Sequence, residues 1–332
     1  MYISNNTAFR WQDDDSTYAL QVCRDDTPQN PREDQENLAT MACWHSKYSL
    51  GDKVEEKTQE EFWRRLVRHN VPEDDIFKAA ADGKLGGIRI AENKEKPGTY
   101  DIYETCYLTC YLAGLQTSKE AEEYLEHSEI ERAYVPGYLL DDLTVGDCQT
   151  LLEPYAEWMS LWLYDHSGLT MSCGARTGQY DDRWDSGQVG WIILTKEQVM
   201  NEVGTEYVLD ENGERIRVEH IHEGQPSTWS YMTRPLTDDT WRRRAVEIME
   251  GEVKEYDQYL TGEVYGYILF RLVDDDWEKI DSCWGFFGSK LEENGMLDQV
   301  GCGFSEAFAE NRLEEGTAQT VTVISYSTEF EF

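Results

Sequence analysis

The hydrophobic and polar positions of the chain are arranged around one central stretch, residues 161–194. Two apolar runs, residues 161–164 and 189–194, flank a segment that is rich in glycine and in polar side chains. Short apolar runs bounded by turn residues are typical of buried strands. The pattern therefore predicts two buried strands around a loop of reactive side chains, and loops on a rigid scaffold often carry function.

Alternating apolar and polar residues predict further strands at residues 18–22, 264–273 and 320–326. Asn212 followed by Gly213 is a strong signal of a short hairpin, so we expect two strands between residues 207 and 229. The apolar run at residues 105–115 fits either a strand or a buried helix, because short runs do not distinguish the two.

Apolar residues at three- and four-residue steps, together with capping residues, predict helices over residues 58–70, 118–131, 196–204, 239–260 and 291–295. Strands and helices are mixed without a regular β-α-β alternation, which favours an α+β fold with mainly antiparallel sheets and packed helices. A chain of 332 residues fits about two domains. We expect an N-terminal α+β portion at 1–145 and a C-terminal one at 146–332, a single large domain being the alternative.

Acidic residues outnumber basic ones by 66 to 30, giving a formal net charge of -36. The excess is spread along the chain and does not form one acidic tail. A surface this negative repels nucleic acid and anionic membranes and attracts basic partners. We therefore expect a basic protein as partner, with no direct binding to nucleic acid or to membranes.

The eight cysteines form no CxxC pair, which argues against a zinc ribbon or a thioredoxin-type redox site. The chain shows no secretory signal pattern, and no apolar run approaches the roughly 20 residues of a membrane-spanning helix. It also has no GxGxxG or Walker motif. We expect free thiols, a cytoplasmic location and no cofactor.

Five short segments carry a resemblance to a known family. They are CWHSKYSLGD at residues 43–52, LYDHSG at 163–168, WDSGQVG at 184–190, YDQYLTGEVYGY at 256–267 and DSCWGFFG at 281–288. Together these segments resemble a family of uncharacterised proteins of phages, prophages and related mobile elements. The resemblance implies a phage or mobile-element context in the host-cell cytoplasm, and it assigns no catalytic residue.

Asp165, His166 and Cys173 offer the orienting group, base and nucleophile of a thiol enzyme. Adjacent residues of an extended chain point to opposite faces, so Asp165 is poorly placed to orient His166. The alternative nucleophiles are Cys43, with His45 nearby, and Cys283. The competing interpretation, which we prefer, is that these groups bond loop backbone and that the cysteines are ordinary buried residues.

The segment WDSGQVG has two interpretations. Its Asp185 and Ser186 can bond backbone amides, and its glycines permit a positive φ or a close approach, so a tight β-turn locked by its own side chains is one of them. The functional interpretation is a pocket lined by Trp184 and Gln188 that binds a flat ligand.

Carboxylates suited to calcium or magnesium gather near the C-terminal third, at Asp274, Asp275, Asp276, Glu278 and Asp281. The segment lacks the glycine and the terminal glutamate of an EF-hand loop, which favours a solvated turn. His220 and His222 share one face of a strand but have no third ligand in sequence. We therefore expect no metal site.

The distributed acidity has three interpretations: imitation of the phosphate array of DNA, adaptation to high salt, or plain solubility. We expect a protein that binds and blocks a basic host protein, such as a nuclease or defence complex, without covalent chemistry. The carboxylates expected to supply the charge are Asp274, Asp275, Asp276, Glu292 and Glu293. The alternatives are a small hydrolase or transferase that uses the central loop, and a phage structural or assembly protein; a homo-oligomer stays open.

Overall fold

The computed structural model describes residues 1–34, 37–81, 88–92, 95–97, 100–104, 110–115, 140–141, 143–176, 185–220, 228–323 and 325–331. The chain divides into two compact units. Unit 1 comprises residues 1–37, 161–188 and 250–332, and unit 2 comprises residues 38–160 and 189–249. The domain boundary that we expect near residue 145 stays a prediction.

The described strands are β1 (Thr7–Asp13), β2 (Ser16–Arg24), β3 (Thr40–Cys43), β4 (Ile88–Glu92), β5 (Tyr100–Glu104), β6 (Cys110–Leu115), β7 (Ala156–Asp165), β8 (Leu169–Cys173), β9 (Ser186–Thr195), β10 (Thr205–Tyr207), β11 (Arg217–His220), β12 (Thr228–Tyr231), β13 (Thr233–Pro235), β14 (Val264–Val273), β15 (Asp276–Phe287), β16 (Glu314–Val323) and β17 (Ser325–Glu331). The described helices are α1 (Pro31–Asp34), α2 (Gln59–Asn70), α3 (Glu73–Ala81), α4 (Val145–Leu152), α5 (Lys196–Gln198), α6 (Trp241–Thr261), α7 (Met296–Gln299) and α8 (Phe304–Ala309). Helices packed with antiparallel sheets confirm the expected α+β fold.

Unit 1 contains a six-stranded antiparallel sheet in the order β15-β14-β2-β1-β16-β17. Its sequence-adjacent hairpins β1–β2 and β14–β15 are joined through β2 and β14, which pair from Tyr265 with Arg24 to Arg271 with Tyr18. Alternate residues of these strands point to one face, where aromatic side chains pack against the short helices α7 and α8. Phe304 of α8 lies between the rings of Phe9 and Trp11 and anchors this core.

The turn between β14 and β15 consists of two residues, Asp274 and Asp275, because Val273 pairs with Asp276. Both turn residues have positive φ, at 48° and 67°. Two consecutive positive φ angles define the type I′ hairpin turn, and Asp is one of the few residues with a side chain that tolerates this conformation. Asp274 and Asp275 therefore have two roles: they adopt the backbone conformation that the turn requires, and they give the turn a negative charge.

A four-stranded sheet has the order β3-β9-β7-β8. In unit 2, Gly190 of β9 lies opposite Cys43 of β3. A Cβ atom added at Gly190 would lie 1.9 Å from the carbonyl oxygen of Ala42. Gly190 is therefore required for the close approach of β3 to β9, and the WDSGQVG segment, expected as either a turn or a pocket, continues from Ser186 as strand.

The core of unit 2 forms around the amphipathic helix α2, which is capped by Thr58 through a bond from the amide of Glu61. Its Trp63 is fully buried and meets Trp158 and Trp191 edge-on, at centroid distances of 5.4 and 5.5 Å. Helix α4, which begins with a capping box at Thr144, adds buried leucines to the same core.

Some of the helices and strands expected from the sequence are confirmed by the structure, and others are not. The helices expected at 58–70 and 239–260 are confirmed by α2 and α6, and residues 118–131 lie outside the described part of the chain. The helix expected at 291–295 is wrong, because these residues form turns and the helix begins at Met296. The turn expected at Asn212 and Gly213 is confirmed: Leu209 and Arg215 form an antiparallel bridge around it, Gly213 has a φ of 83°, and Asp210 accepts the amides of Asn212 and Glu214. The strands on either side differ from the expectation, because β10 pairs with β13 and β11 pairs with β12.

A buried carboxylate holds part of unit 2 together. Glu206 is buried and accepts hydrogen bonds from Arg234 and Arg243. Desolvation alone raises the pKa of Glu206, yet the two guanidinium groups together lower it below its ordinary value. Glu206 therefore stays ionised and joins β10 to β13 and to the start of α6.

Asp257, a carboxylate in unit 1, has a raised pKa, in contrast to Glu206. Asp257 of α6 accepts a 2.6 Å hydrogen bond from the amide of Met171 in β8. Desolvation raises the pKa of Asp257 above its ordinary value, with Glu263 adding to the increase and the Met171 amide opposing it. The folded chain therefore binds the Asp257 proton more tightly than the unfolded chain does.

Replacing Gly190 by alanine tests the close approach of β3 to β9. The new methyl group meets backbone, which cannot rotate away, so G190A should lower the free energy of unfolding by about 1–3 kcal/mol. The matched control is G187A in the same strand, where a Cβ atom meets nothing within 4 Å and the change should stay within about 0.5 kcal/mol. Equal denaturation midpoints for the two variants would refute the constraint.

Replacing Asp257 by asparagine tests the cost of the buried charge. The asparagine side chain keeps an acceptor for the Met171 amide but cannot ionise, so D257N should raise the Tm by about 1–3 °C at neutral pH. Because the folded-state pKa of Asp257 is raised, this advantage should disappear as the pH falls below the ordinary Asp value and both states become protonated. A constant or growing advantage in acid, measured by thermal melts across pH, contradicts the assignment.

Candidate functional site

The structure separates the members of the expected thiol site at residues 165–173. In the β7–β8 hairpin Leu161 pairs with Cys173, whereas Asp165 pairs with Leu169 at the turn. Cys173 therefore lies about 13 Å along the strand from the turn that carries His166. Its thiol cannot hydrogen-bond the imidazole, so a nucleophile and base pair does not form there.

The partner of His166 is Asp185, which sequence reasoning did not pair with it. Nδ1 of His166 lies 3.1 Å from Oδ2 of Asp185, and the Asp165 amide donates to the Asp185 carbonyl. This geometry can orient an imidazole, as in hydrolase triads. The imidazole is 62% exposed, so water competes for its bonds and the pair has the environment of a surface contact.

The thiols of Cys173 and Cys148 are poor nucleophiles. Desolvation, with a contribution from Glu250, raises the pKa of Cys173 to about 11. Desolvation likewise raises the pKa of Cys148 to about 12, although Arg64 opposes it. Reactive cysteines have lowered pKa values, so neither thiol has the environment of an activated nucleophile; Cys148 is buried, whereas Cys173 is half-buried.

Cys43 and His45 line an open depression of about 730 Å³ in unit 2. Nδ1 of His45 accepts the amides of Lys47 and Tyr48, each at 3.3 Å, and its ring stacks on Tyr48. With Nδ1 accepting, the neutral ring carries its proton on Nε2 and has no second acceptor for a thiol proton. His45 is therefore placed to shape the loop.

Cys283 lies on the edge strand β15, opposite Tyr267. The Tyr267 hydroxyl donates to Asp281 at 3.0 Å, and desolvation and this carboxylate raise the pKa of Tyr267. Of the histidines that the structure describes, His166 alone belongs to the same unit as Cys283. Among the six candidates Asp165, His166, Cys173, Cys43, His45 and Cys283, the strand geometry and the raised pKa weigh against a thiol site at Cys173, and the roles of Cys43 and Cys283 stay predictions.

The WDSGQVG side chains have separate neighbours. Trp184 lies outside the described residues, Asp185 meets His166, and Ser186 accepts a 3.1 Å bond from Arg176. Gln188 is exposed on β9. A flat-ligand pocket at Trp184 and Gln188 therefore stays a prediction.

Within the described part of the chain, no three His, Cys, Asp or Glu side chains are placed to hold a metal ion. His220 bonds Ser230 at 2.6 Å, while His222 lies outside the described residues. The calcium or magnesium alternative for residues 274–281 therefore gains no support.

Two aspartate turns lie side by side at one end of the six-stranded sheet. The β1–β2 hairpin turns at Asp14 and Asp15, since Asp13 pairs with Ser16. Arg271 of β14 pairs with Tyr18 of β2. Two residues beyond this pair, β14 reaches its turn after Val273 and β2 reaches the other turn before Ser16. Residues 13–15 and 274–276, which both read DDD, therefore meet at the same end although the chain separates them widely. We call these six residues the aspartate end.

The aspartate end is a dense array of charge. Five of its six side chains are exposed, and the half-buried Asp13 has its carboxylate against Gly303. Four strands at about 4.8 Å spacing span about 14 Å, so the five exposed carboxylates give about one charge per 3 Å. Duplex DNA carries about one per 1.7 Å, which is a higher density of the same order. Sequence reasoning singled out residues 274–276 but missed 13–15, although the repeated DDD between strand patterns was the available signal.

Glu292 and Glu293 differ from the aspartate end because they are paired within the chain. Lys290 and Lys254 both donate to Glu293 and lower its pKa to about 2. The amino group of Met1 donates to Glu292 and lowers its pKa. The expected binding role of these two glutamates stays a prediction, and it would require exchange of existing ion pairs.

Arginines gather elsewhere, with aromatic side chains, in unit 2. Arg215 lies over the ring of Tyr207 at 4.1 Å, and Arg217 lies 5.7 Å from the ring of Tyr231. Such stacking is a favourable cation–π arrangement. These arginines belong to unit 2, whereas the aspartate end belongs to unit 1, where Arg312 donates to the carbonyl oxygen of Gln12 next to Asp13.

Comparisons with protein-family models, with curated proteins and with solved structures give no match for this chain. The resemblance to phage and mobile-element proteins stays an expectation that these comparisons leave untested. Each helix in the described part of the chain is too short or too polar to cross a membrane.

Thiol alkylation tests whether Cys173 is activated. A pKa about 2 above the ordinary value of 9.0 lowers the thiolate fraction about a hundredfold near pH 8, so Cys173 should react far more slowly than free cysteine. The measurement is iodoacetamide labelling followed by peptide mapping, with the denatured chain as control. Labelling of Cys173 as fast as free cysteine in the folded protein would instead support a thiol enzyme.

Proposed function

We propose that this chain binds and blocks a basic, nucleic-acid-handling protein through the aspartate end, in the manner of a DNA mimic. In the phage or mobile-element setting that the sequence resemblance implies, the partner is a host nuclease or other defence protein. The bound state requires no covalent chemistry from the chain.

The observation that carries the proposal is the charge density of the aspartate end. A surface that holds five exposed carboxylates over about 14 Å, about one per 3 Å, has a charge density of the same order as that of duplex phosphates. Proteins that bind DNA arrange lysine and arginine side chains to match such spacing. The same side chains can bind these carboxylates, and the two ligands then compete.

The geometry of the turns adds to this support. Antiparallel hydrogen bonding fixes the backbone of both hairpins in one sheet, so the two turns that carry the carboxylates are in place before a partner arrives. Preorganised groups bind more tightly because less conformational entropy is lost on association. Electrostatic steering by such a region also raises the rate of encounter with a basic partner.

An enzyme that uses the central loop is the alternative from another class. The separation of Cys173 from His166 and the raised pKa of that thiol weigh against it. A structural or assembly role stays open, and the arginine and tyrosine surface of unit 2 would be a complementary region for the aspartate end of another copy. The binding experiment therefore includes the oligomeric state as a readout.

Five asparagine substitutions test the aspartate end directly. Asp14, Asp15, Asp274, Asp275 and Asp276 are exposed, and asparagine tolerates the same positive φ, so the turns should keep their shape. Host DNA-binding proteins are loaded on a duplex DNA resin at low salt and eluted with the wild-type chain or with the variant. We expect the wild type to release a defined protein from the resin. The variant should release the same amount only at a concentration at least about tenfold higher.

The control variant removes the same number of charges from unit 2. It replaces five exposed acids by their amides: Glu60, Asp74, Glu202, Glu211 and Glu219. Because this variant keeps the aspartate end, it should release the host protein at the same concentration as the wild type does. The affinity of the chain for the released protein should fall steeply with added salt. Equal loss in both variants would show that only net charge matters. Large oligomers of the wild type, lost in the five-asparagine variant without release of any protein, would favour assembly instead.

A further inference from the structure

A concave pocket of about 590 Å³ opens in unit 1 at the end of the sheet opposite the aspartate end. It is lined by the segment that follows β2 and by the last residues of β15: Arg24, Asp25, Asp26, Thr27, Gln29, Asn30, Trp284, Gly285 and Phe287. Its distinguishing feature is Trp284, a large aromatic residue that is 47% exposed. A half-exposed tryptophan that lines a concave site presents a large apolar ring face to solvent, which suits it to contact a ligand.

Two glycines fix the position of Trp284. Gly266 lies opposite it on β14, and a Cβ atom there would come within 2.3 Å of the indole ring, so the ring rests where a side chain is missing. Gly285 has a φ of 87° and is the extra residue of a β-bulge, since Gly266 pairs with Trp284 and Tyr265 pairs with Phe286. Bulges of this kind redirect side chains at sheet edges.

The charges around the indole are arranged for a cation. Arg24 donates to the carbonyl oxygens of Gly262 and Thr261, at 2.7 and 2.9 Å, so its positive charge caps the C-terminal end of α6. Asp25 and Asp26 then supply negative charge to the pocket wall beside Trp284. Carboxylates next to an exposed indole attract a cation to the ring face.

We propose that this pocket binds an arginine side chain of a protein partner, with the guanidinium stacked on Trp284 and hydrogen-bonded to Asp25 or Asp26. A guanidinium is planar, stacks on aromatic rings and binds a carboxylate through two parallel hydrogen bonds. An ammonium group lacks the flat face and the fork of donors. Two carboxylates against the one guanidinium of Arg24 leave the charged lining net negative, which disfavours an anionic ligand such as a nucleotide.

The pocket is independent of the aspartate end. Arg24 and Ser16 lie at opposite ends of β2, about 27 Å apart at the usual rise of a strand. The two sites can therefore bind different partners or distant parts of one partner. Failure of the proposed DNA mimicry leaves the arginine pocket untouched, and failure of the pocket leaves the mimicry untouched.

The test is an NMR titration with small analogues of amino-acid side chains, followed at the indole N–H signal of Trp284. N-acetyl-arginine methylamide is titrated into the ¹⁵N-labelled protein, and the Trp284 indole signal is assigned by its loss in W284L. We expect a saturable shift of this signal with a Kd of about 1 mM, and at least fivefold weaker binding of the lysine analogue. Equal binding of both probes would overturn the guanidinium assignment. A shift by adenosine monophosphate in place of arginine would overturn the cation site.

Variants separate recognition from folding. D25N/D26N keeps the acceptor that bonds the Thr27 amide but removes both charges, and should weaken arginine binding at least about tenfold. G266A keeps the indole but displaces it, and should also lose binding while the circular dichroism spectrum is unchanged. W229L removes another exposed tryptophan, in unit 2, and should bind like wild type. Retained affinity in D25N/D26N, or loss in W229L, would refute the proposal.

Discussion

The pairing of β2 with β14 is the interaction on which both proposed sites depend. It joins an N-terminal hairpin to a C-terminal one through a continuous antiparallel register from Tyr265 with Arg24 to Arg271 with Tyr18. One end of this register brings two aspartate turns together, and the other places Arg24 and its neighbours near Trp284. Because side chains alternate between faces, a slip of one residue would reverse the facing of the whole strand and disrupt both ends.

Two groups of carboxylates among the described residues differ in their physical surroundings. Glu206 and Glu293 are paired with basic side chains, and their pKa values are lowered by those partners. The aspartate end instead concentrates like charges in two neighbouring turns, where mutual repulsion opposes folding at low ionic strength. The hydrogen-bonded sheet and the aromatic core around Phe304 must offset that repulsion. A surface held at such a cost fits a role in binding better than a role in solubility alone.

Local sequence patterns predict many of the helices and strands. The features that they do not predict depend on contacts between residues far apart in the sequence. Alternation locates the strands at 18–22 and 264–273, and apolar spacing locates α2 and α6, because these signals are local. Nothing local shows that β2 pairs with β14, so the meeting of residues 13–15 with 274–276 does not follow from the sequence. The local pattern allows either a positive φ or a close approach at Gly190, and only the contact with β3 shows that the close approach is the reason for this glycine. Similarly, the role of Trp284 depends on Gly266 in another strand.

The most direct test of this account is the register of β2 against β14 in solution. Cross-strand nuclear Overhauser contacts in the deuterated, amide-protonated protein report which backbone protons lie next to each other. The account predicts contacts that link Ala19 with Phe270 and Gln21 with Ile268, extending toward both turns. Contacts shifted by one residue would mean that the strand faces the other way, and pairing of β14 with a different strand would separate the aspartate turns. Either result would contradict the account.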